Sequence, residues 1–85
     1  MVRKVFSIRD AKSELFGTPF FNLTHGEAER NFKTLVNDPK SSVNQYPEDF
    51  DLYYLGSYDD VSGKMIPNDS PEHLVKAVNV FTAKQ

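Results

Sequence analysis

The sequence predicts an α+β domain. It should be a small antiparallel sheet of about four strands with one main helix packed on one face, in the order β-β-α-β-β. A short C-terminal helical turn or extended segment should close it. Three observations carry this reading. Val2 to Arg9 and Phe50 to Tyr58 are rich in β-branched and aromatic residues, as strands are. Between them, Thr24 to Asn37 carries apolar residues at helical spacing behind a capping signature. A length of 85 residues suits one domain, so residues 1–85 are read as a single unit.

In chain order, the first strand alternates Val5 and Ser7 on one side with Phe6 and Ile8 on the other. Asp10 to Glu14 is polar and reads as a connection. Gly17-Thr-Pro leads into a second strand at about 18–23, where Pro19 fits a strand start because it cannot donate to a ladder. Thr24 and Glu27 form a capping box: the Thr hydroxyl should accept from the Glu27 N–H, and the Glu27 carboxylate should return to the Thr24 N–H. Ala28, Phe32, Leu35 and Val36 make the apolar stripe, and Arg30, Lys33 and Asn37 fall on the water side. The helix should stop at Asn37-Asp-Pro39, since the residue before a proline avoids the α region.

Residues 40–47 read as loop and 50–58 as the strongest strand. Asp59 to Gly63 has hairpin length, with Gly63 free to take positive φ. Lys64-Met-Ile66 should return as a short strand halted by Pro67. Ser70-Pro71 has the form of a helix start, and His73 to Phe81 fits a short helical turn followed by a short extended segment. The expected core is Phe6, Ile8, Phe21, Phe32, Leu35, Val36 and Leu55.

Composition narrows the function classes. The net charge of −2 excludes a general polycation for phosphate binding. The charge is uneven, however: residues 1–45 carry +2 and residues 46–85 carry −4. With no cysteine, disulfides and thiolate zinc sites are excluded. No apolar run approaches the roughly 18 residues of a membrane span, and no signal-like stretch opens the chain. The expectation is a protein of a reducing cytoplasm that contacts no membrane.

Catalytic and metal motifs fail on their spacing. Gly63-Lys64 lacks the upstream glycine and the following Ser or Thr of a phosphate loop. Asp59-Asp60 lacks the alternating ligands and closing Glu of a calcium loop. His25 and His73 are the only histidines, too few for a zinc site without other ligands. Ser13, Ser41, Ser42 and Ser57 lack the glycine elbow that exposes a catalytic serine. Glu48, Asp49 and Asp51 read as a solvated loop before a strand. Asn22-Leu-Thr24 and Asn68-Asp-Ser70 match the glycosylation triplet without a secretory context. The expectation is a protein that is not an enzyme and uses no cofactor or metal.

The strand at 50–58 is apolar on both faces. Alternation places Leu52, Tyr54 and Tyr58 on one and Tyr53 and Leu55 on the other. One helix covers one face, so the second needs the C-terminal segment, a second copy of the chain, or a stacked nucleobase.

Several segments resemble the small non-structural protein of gokushoviruses, single-stranded DNA phages of the Microviridae. They are Lys4-Val-Phe-Ser-Ile-Arg-Asp10, Pro19-Phe-Phe21, Val36-Asn-Asp-Pro-Lys40, and Tyr46-Pro-Glu-Asp-Phe-Asp-Leu-Tyr-Tyr-Leu-Gly-Ser-Tyr-Asp-Asp-Val-Ser-Gly63. The resemblance spans most of residues 1–66. It implies a phage protein of the protein C type, DNA-binding, acting in the host bacterial cytoplasm. It also implies a role in the switch from duplex replication to single-stranded genome synthesis and packaging.

Two partner classes follow. The first is viral DNA, single-stranded in preference, contacted by Arg3, Lys4, Arg9 and Lys12 near the N-terminus and by Arg30 and Lys33 on the helix. Tyr54 and Tyr58 would stack bases, with Leu55 turned to the core. The second is protein: a replication initiator or procapsid component met by a regulator or assembly factor with no DNA contact of its own. A homodimer is expected from the second apolar face.

Overall fold

The computed structural model describes residues 1–82. Its architecture corrects the predicted class. The chain is mostly β, 45% strand and 28% helix, with an antiparallel sheet curled into a half-barrel and several small helices. It is not a four-stranded sheet carrying a single main helix. The elements are β1 (Val2–Asp10), β2 (Leu15–Phe16), β3 (Phe20–Asn22), α1 (His25–Val36), α2 (Ser42–Gln45), a 3-10 turn at Pro47–Asp49, β4 (Phe50–Asp59), β5 (Lys64–Lys76) and α3 (Ala77–Val80).

The sheet runs β2-β1-β4-β5, with β3 also paired to β1. Its spine is β1 against β4, antiparallel from Val2↔Asp59 to Asp10↔Phe50. The segment read as a plain connection is a tight turn, so the chain returns at once as β2, pairing Arg9↔Phe16 and Asp10↔Leu15. Glu14 takes φ 63° there. Non-glycine residues seldom adopt that region, so the turn carries no glycine signature. Asp10 stabilises it instead, accepting through Oδ1 from the Lys12 N–H at 2.9 Å.

The second correction concerns the C-terminal third. Pro67 does not halt the strand, and Ser70-Pro71 starts no helix. Residues 64–76 form one 13-residue strand. Both prolines are tolerated because β5 is the sheet edge, where an outward position needs no N–H. The pairing slips on the way, from Gly56↔Pro67 to Tyr54↔Glu72, so residues 68–71 bow out opposite Leu55. Gly56 permits the close approach: a Cβ there would lie 2.4 Å from the Ile66 carbonyl oxygen and 2.8 Å from Pro67 Cα. The helical turn α3 then follows the extended segment, the reverse of the predicted order.

The helix α1 stands where its capping residues place it. The Glu27 N–H donates to Thr24 Oγ1 at 3.1 Å. The Glu27 carboxylate returns to the Leu23 N–H at 3.0 Å, one residue earlier than expected. Asn37 ends the helix but does not face water alone. Its Nδ2 donates to the carbonyls of Lys33 and Val80, and its Oδ1 accepts from the Thr82 N–H and hydroxyl. The predicted loop at 40–47 holds the short α2, capped by Ser41 Oγ accepting from the Asn44 N–H.

These elements close one core of Phe6, Ala28, Phe32, Val36, Val43, Leu52 and Ala77. Ile8 and Leu35 are half-buried against it. Two expected core residues are elsewhere. Phe21 is 44% exposed, on the face away from α1. Leu55 is half-buried and unpaired in both ladders, so Leu52 fills the core in its place.

Candidate nucleic-acid interface

The strand register assigns every side chain to a face. Lys4, Phe6 and Ile8 of β1, Phe20 of β3, and Leu52 and Tyr54 of β4 lie on the face that α1 covers. The other face, free of helices, carries Arg3, Val5, Ser7 and Arg9 of β1. Phe16 and Phe21 flank them, and Asp51, Tyr53 and Tyr58 follow on β4, with Met65, His73 and Lys76 on β5. We call this the open face.

The bulge at Leu55 decides which tyrosines share it. Phe6 pairs with Tyr54 but Val5 pairs with Gly56, so Leu55 is skipped and the alternation of β4 reverses. Tyr54 and Tyr58, expected on one face, lie on opposite faces. Tyr54 packs under α1, with its ring 5.5 Å from Phe6 and 4.6 Å from His25. Tyr53 takes its place on the open side.

The open face holds two aromatic pairs. Phe16 and Tyr53 meet edge-on with centroids 5.2 Å apart, and Phe21 and Tyr58 are tilted at 5.4 Å. His73 stands edge-on to Tyr53 at 5.3 Å. Beneath the rings Val5 and Ser7 are buried, and Ser7 donates to the Gly17 carbonyl at 2.8 Å. The four rings thus cover a small second layer while staying partly exposed to solvent.

Charge on this face is sparse and mostly paired. Arg3 Nε lies 3.1 Å from Asp60, which the N-terminal ammonium meets at 2.7 Å. The hydrogen bond from that ammonium, joined by the Arg3 contact, holds the Asp60 carboxyl below the usual carboxylate range. Asp51 holds His73 at 2.6 Å and Lys76 at 3.5 Å. Arg9 differs. Among the described residues no carboxylate pairs with it within 4 Å, and its guanidinium lies 5.7 Å from the Phe16 ring.

The structure therefore splits the predicted contact set. Arg3, Arg9 and Tyr58 share the open face, with Arg3 opposite Tyr58 at one end and Arg9 six residues along β1 at the other. Lys12 is exposed in the β1–β2 turn at one end. Lys4 lies on the helix side, its ammonium 5.3 Å from the Tyr54 ring. Arg30 and Lys33 are exposed on α1, across the sheet from the aromatic pairs. Sequence reasoning missed Phe16, Phe21, Tyr53, His73 and Lys76. One signal could have recovered Tyr53: a glycine inside a strand marks a bulge, and Gly56 follows Leu55 directly.

Among the described residues no helix is long and apolar enough to cross a membrane. Comparison with known proteins gives two matches. The family described as Phage ORF5 protein matches residues 3–80. Protein ORF5 of Chlamydia phage 1 is 36% identical over 70 residues, which are 76% of this chain and 72% of that protein. No solved structure matches.

Proposed function

The chain belongs to the phage ORF5 protein family, and on that premise we propose that it binds single-stranded DNA through the open face of its sheet. In this reading it is a non-structural protein, not an enzyme, working in the host bacterial cytoplasm. Like the Microviridae protein C type, it would favour single-stranded genome synthesis and packaging over duplex replication. One observation carries the reading: Phe16, Tyr53, Phe21 and Tyr58 stand in two partly exposed pairs on one face, the first beside Arg9 and the second beside Arg3. Bases stack on such rings for about 1–3 kcal/mol each, and only unpaired bases offer a free π-face. The net charge of −2 makes the contact local and modest in strength, because the field of the whole molecule repels phosphate.

The test is fluorescence anisotropy of a labelled oligothymidine in low salt. Tyr53→Ala should weaken binding, as should the double reversal Arg9→Glu with Lys12→Glu. Tyr54→Ala should act only through stability. Wild-type protein that leaves the oligonucleotide free would reject the reading.

A second reading, a regulator or assembly factor that meets a replication initiator or procapsid protein, is favoured by the β4–β5 hairpin tip. Val61 is 84% exposed there, with Met65 and Ile66 more than half exposed. A homodimer through the open face is a third occupant, and DNA would compete with it. Solution mass by light scattering, with and without oligothymidine, separates these cases.

A further inference from the structure

Three strands present one row of side chains on the open face: Arg9 of β1 opposite Asp51 of β4, and Asp51 opposite Lys76 of β5. The carboxylate at the centre is the common partner of two basic groups, with His73 Nε2 at 2.6 Å and Lys76 Nζ at 3.5 Å on the same Oδ2. A small hollow of about 130 Å³ lies over this row, lined by Arg9, Ala11, Glu48, Asp51, Tyr53 and Lys76. Ligand pockets run to about 300–1,000 Å³, so this hollow admits only a single small group, and its lining sets Arg9 and Lys76 against the carboxylates of Glu48 and Asp51. It opens beside Tyr53, one of the stacking rings.

We infer that Asp51 is the residue that sets the strength of nucleic-acid binding on this face. It acts as an internal counter-ion that a backbone phosphate must displace. The inference rests on the proposed single-strand reading and adds its control element. With Asp51 in place, Lys76 and His73 are already satisfied, and a phosphate entering between Arg9 and Lys76 meets a carboxylate in its path. Binding then gains little from two of the face's basic groups. A protein that must hold a single strand and later release it to packaging is served by such a contact.

The geometry supplies a test by gain of function, which a merely damaged fold does not mimic. Asp51→Asn removes the charge and keeps an oxygen that can accept from His73. It should bind oligothymidine about five-fold more tightly in low salt, as loss of one unit charge at contact distance predicts. Its plot of log K against log salt should steepen by about 0.7, one further phosphate on a single strand. Adding Lys76→Ala to Asp51→Asn should abolish the gain. Asp51→Glu, which keeps the charge, should bind no more tightly than wild type. Thermal melts of each variant show whether the fold is intact.

If wild type binds and a folded Asp51→Asn binds equally or more weakly, the role of Asp51 is overturned while the single-strand reading stands. If only Asp51→Asn binds, the single-strand reading of the natural protein fails and this inference fails with it. If neither binds, the single-strand reading fails and takes this inference with it.

Discussion

Phe32 projects from α1 into the one core the sheet and helices share, and it is fully buried. Phe32→Ala should cost about 3–5 kcal/mol, a large share of the margin of so small a domain. Thermal or urea melts measure it, and a native-like melt would show that the helix contributes little to the core. Thr24 acts at the helix start through a single 3.1 Å bond from the Glu27 N–H. Thr24→Ala should lose about 1 kcal/mol, and Thr24→Ser should recover most of it. Both roles follow from local spacing. Phe32 falls on the 28–32–36 stripe, and Thr24 stands three residues before Glu27. Asn37 shows the opposite case. Its amide bridges Lys33, Val80 and Thr82, and the last two lie more than 40 positions away in sequence. No local pattern announces such a residue.

At the scale of the element, β1 and β4, which pair along their whole length but for Leu55, are also the two with the clearest β-branched and aromatic runs. The turn at 59–63 behaves as read, with Gly63 at φ 77°. The edge strand β5 escaped because its prolines are punctuation in most contexts and harmless at an edge. Gly56 ties β5 to β4 through close backbone contact. Gly56→Ala should therefore be strongly destabilising, since its methyl would meet backbone atoms at 2.4 and 2.8 Å that cannot swing away. Asn37→Ala should loosen the junction of α1 and α3, at about 0.5–1.5 kcal/mol for the lost bonds, since the groups left behind are largely open to water. Hydrogen exchange at Thr82 and in α3 should accelerate before that of β1. Unchanged exchange there would show that Asn37 does not hold the tail.

At the scale of the molecule, the chain is elongated, with extents of 46 × 23 × 18 Å. The core and helices occupy one side and the aromatic pairs the other. Two carboxyls at the β4–β5 tip respond to acid. Asp59 accepts from the Val61 N–H, and Asp60 accepts from the N-terminal ammonium and Arg3, which holds both carboxyls below the ordinary aspartate value of 3.8. A carboxyl whose folded value is depressed stabilises the fold above its unfolded value, and that stability is lost as pH falls through the folded value. The melting temperature should thus be insensitive to these groups at neutral pH and fall below about pH 3.8. Both groups are open to solvent, so the slope should be shallow and salt-sensitive. Asp60→Asn should remove part of the decline. An identical acid profile in that variant would exclude Asp60 as a contributor.

Local sequence encodes only what a window of about ten residues can hold. The helix at 25–36 with its cap, the strands at 2–10 and 50–59, and the turn between 59 and 64 are all of this kind. So is Phe6, on the face opposite Val5 and Ser7. The remaining features arise from contacts distant in sequence, because each depends on what lies across the sheet. Pro67 and Pro71 became strand residues once β5 had no outer neighbour. The skip at Leu55 is a mismatch between two ladders, and it moved Tyr58 off the face of Leu52 and Tyr54 and onto the face of Tyr53. The mostly β balance of the fold and the aromatic surface opposite the helices both follow from those non-local pairings, which alternation along a single strand cannot express.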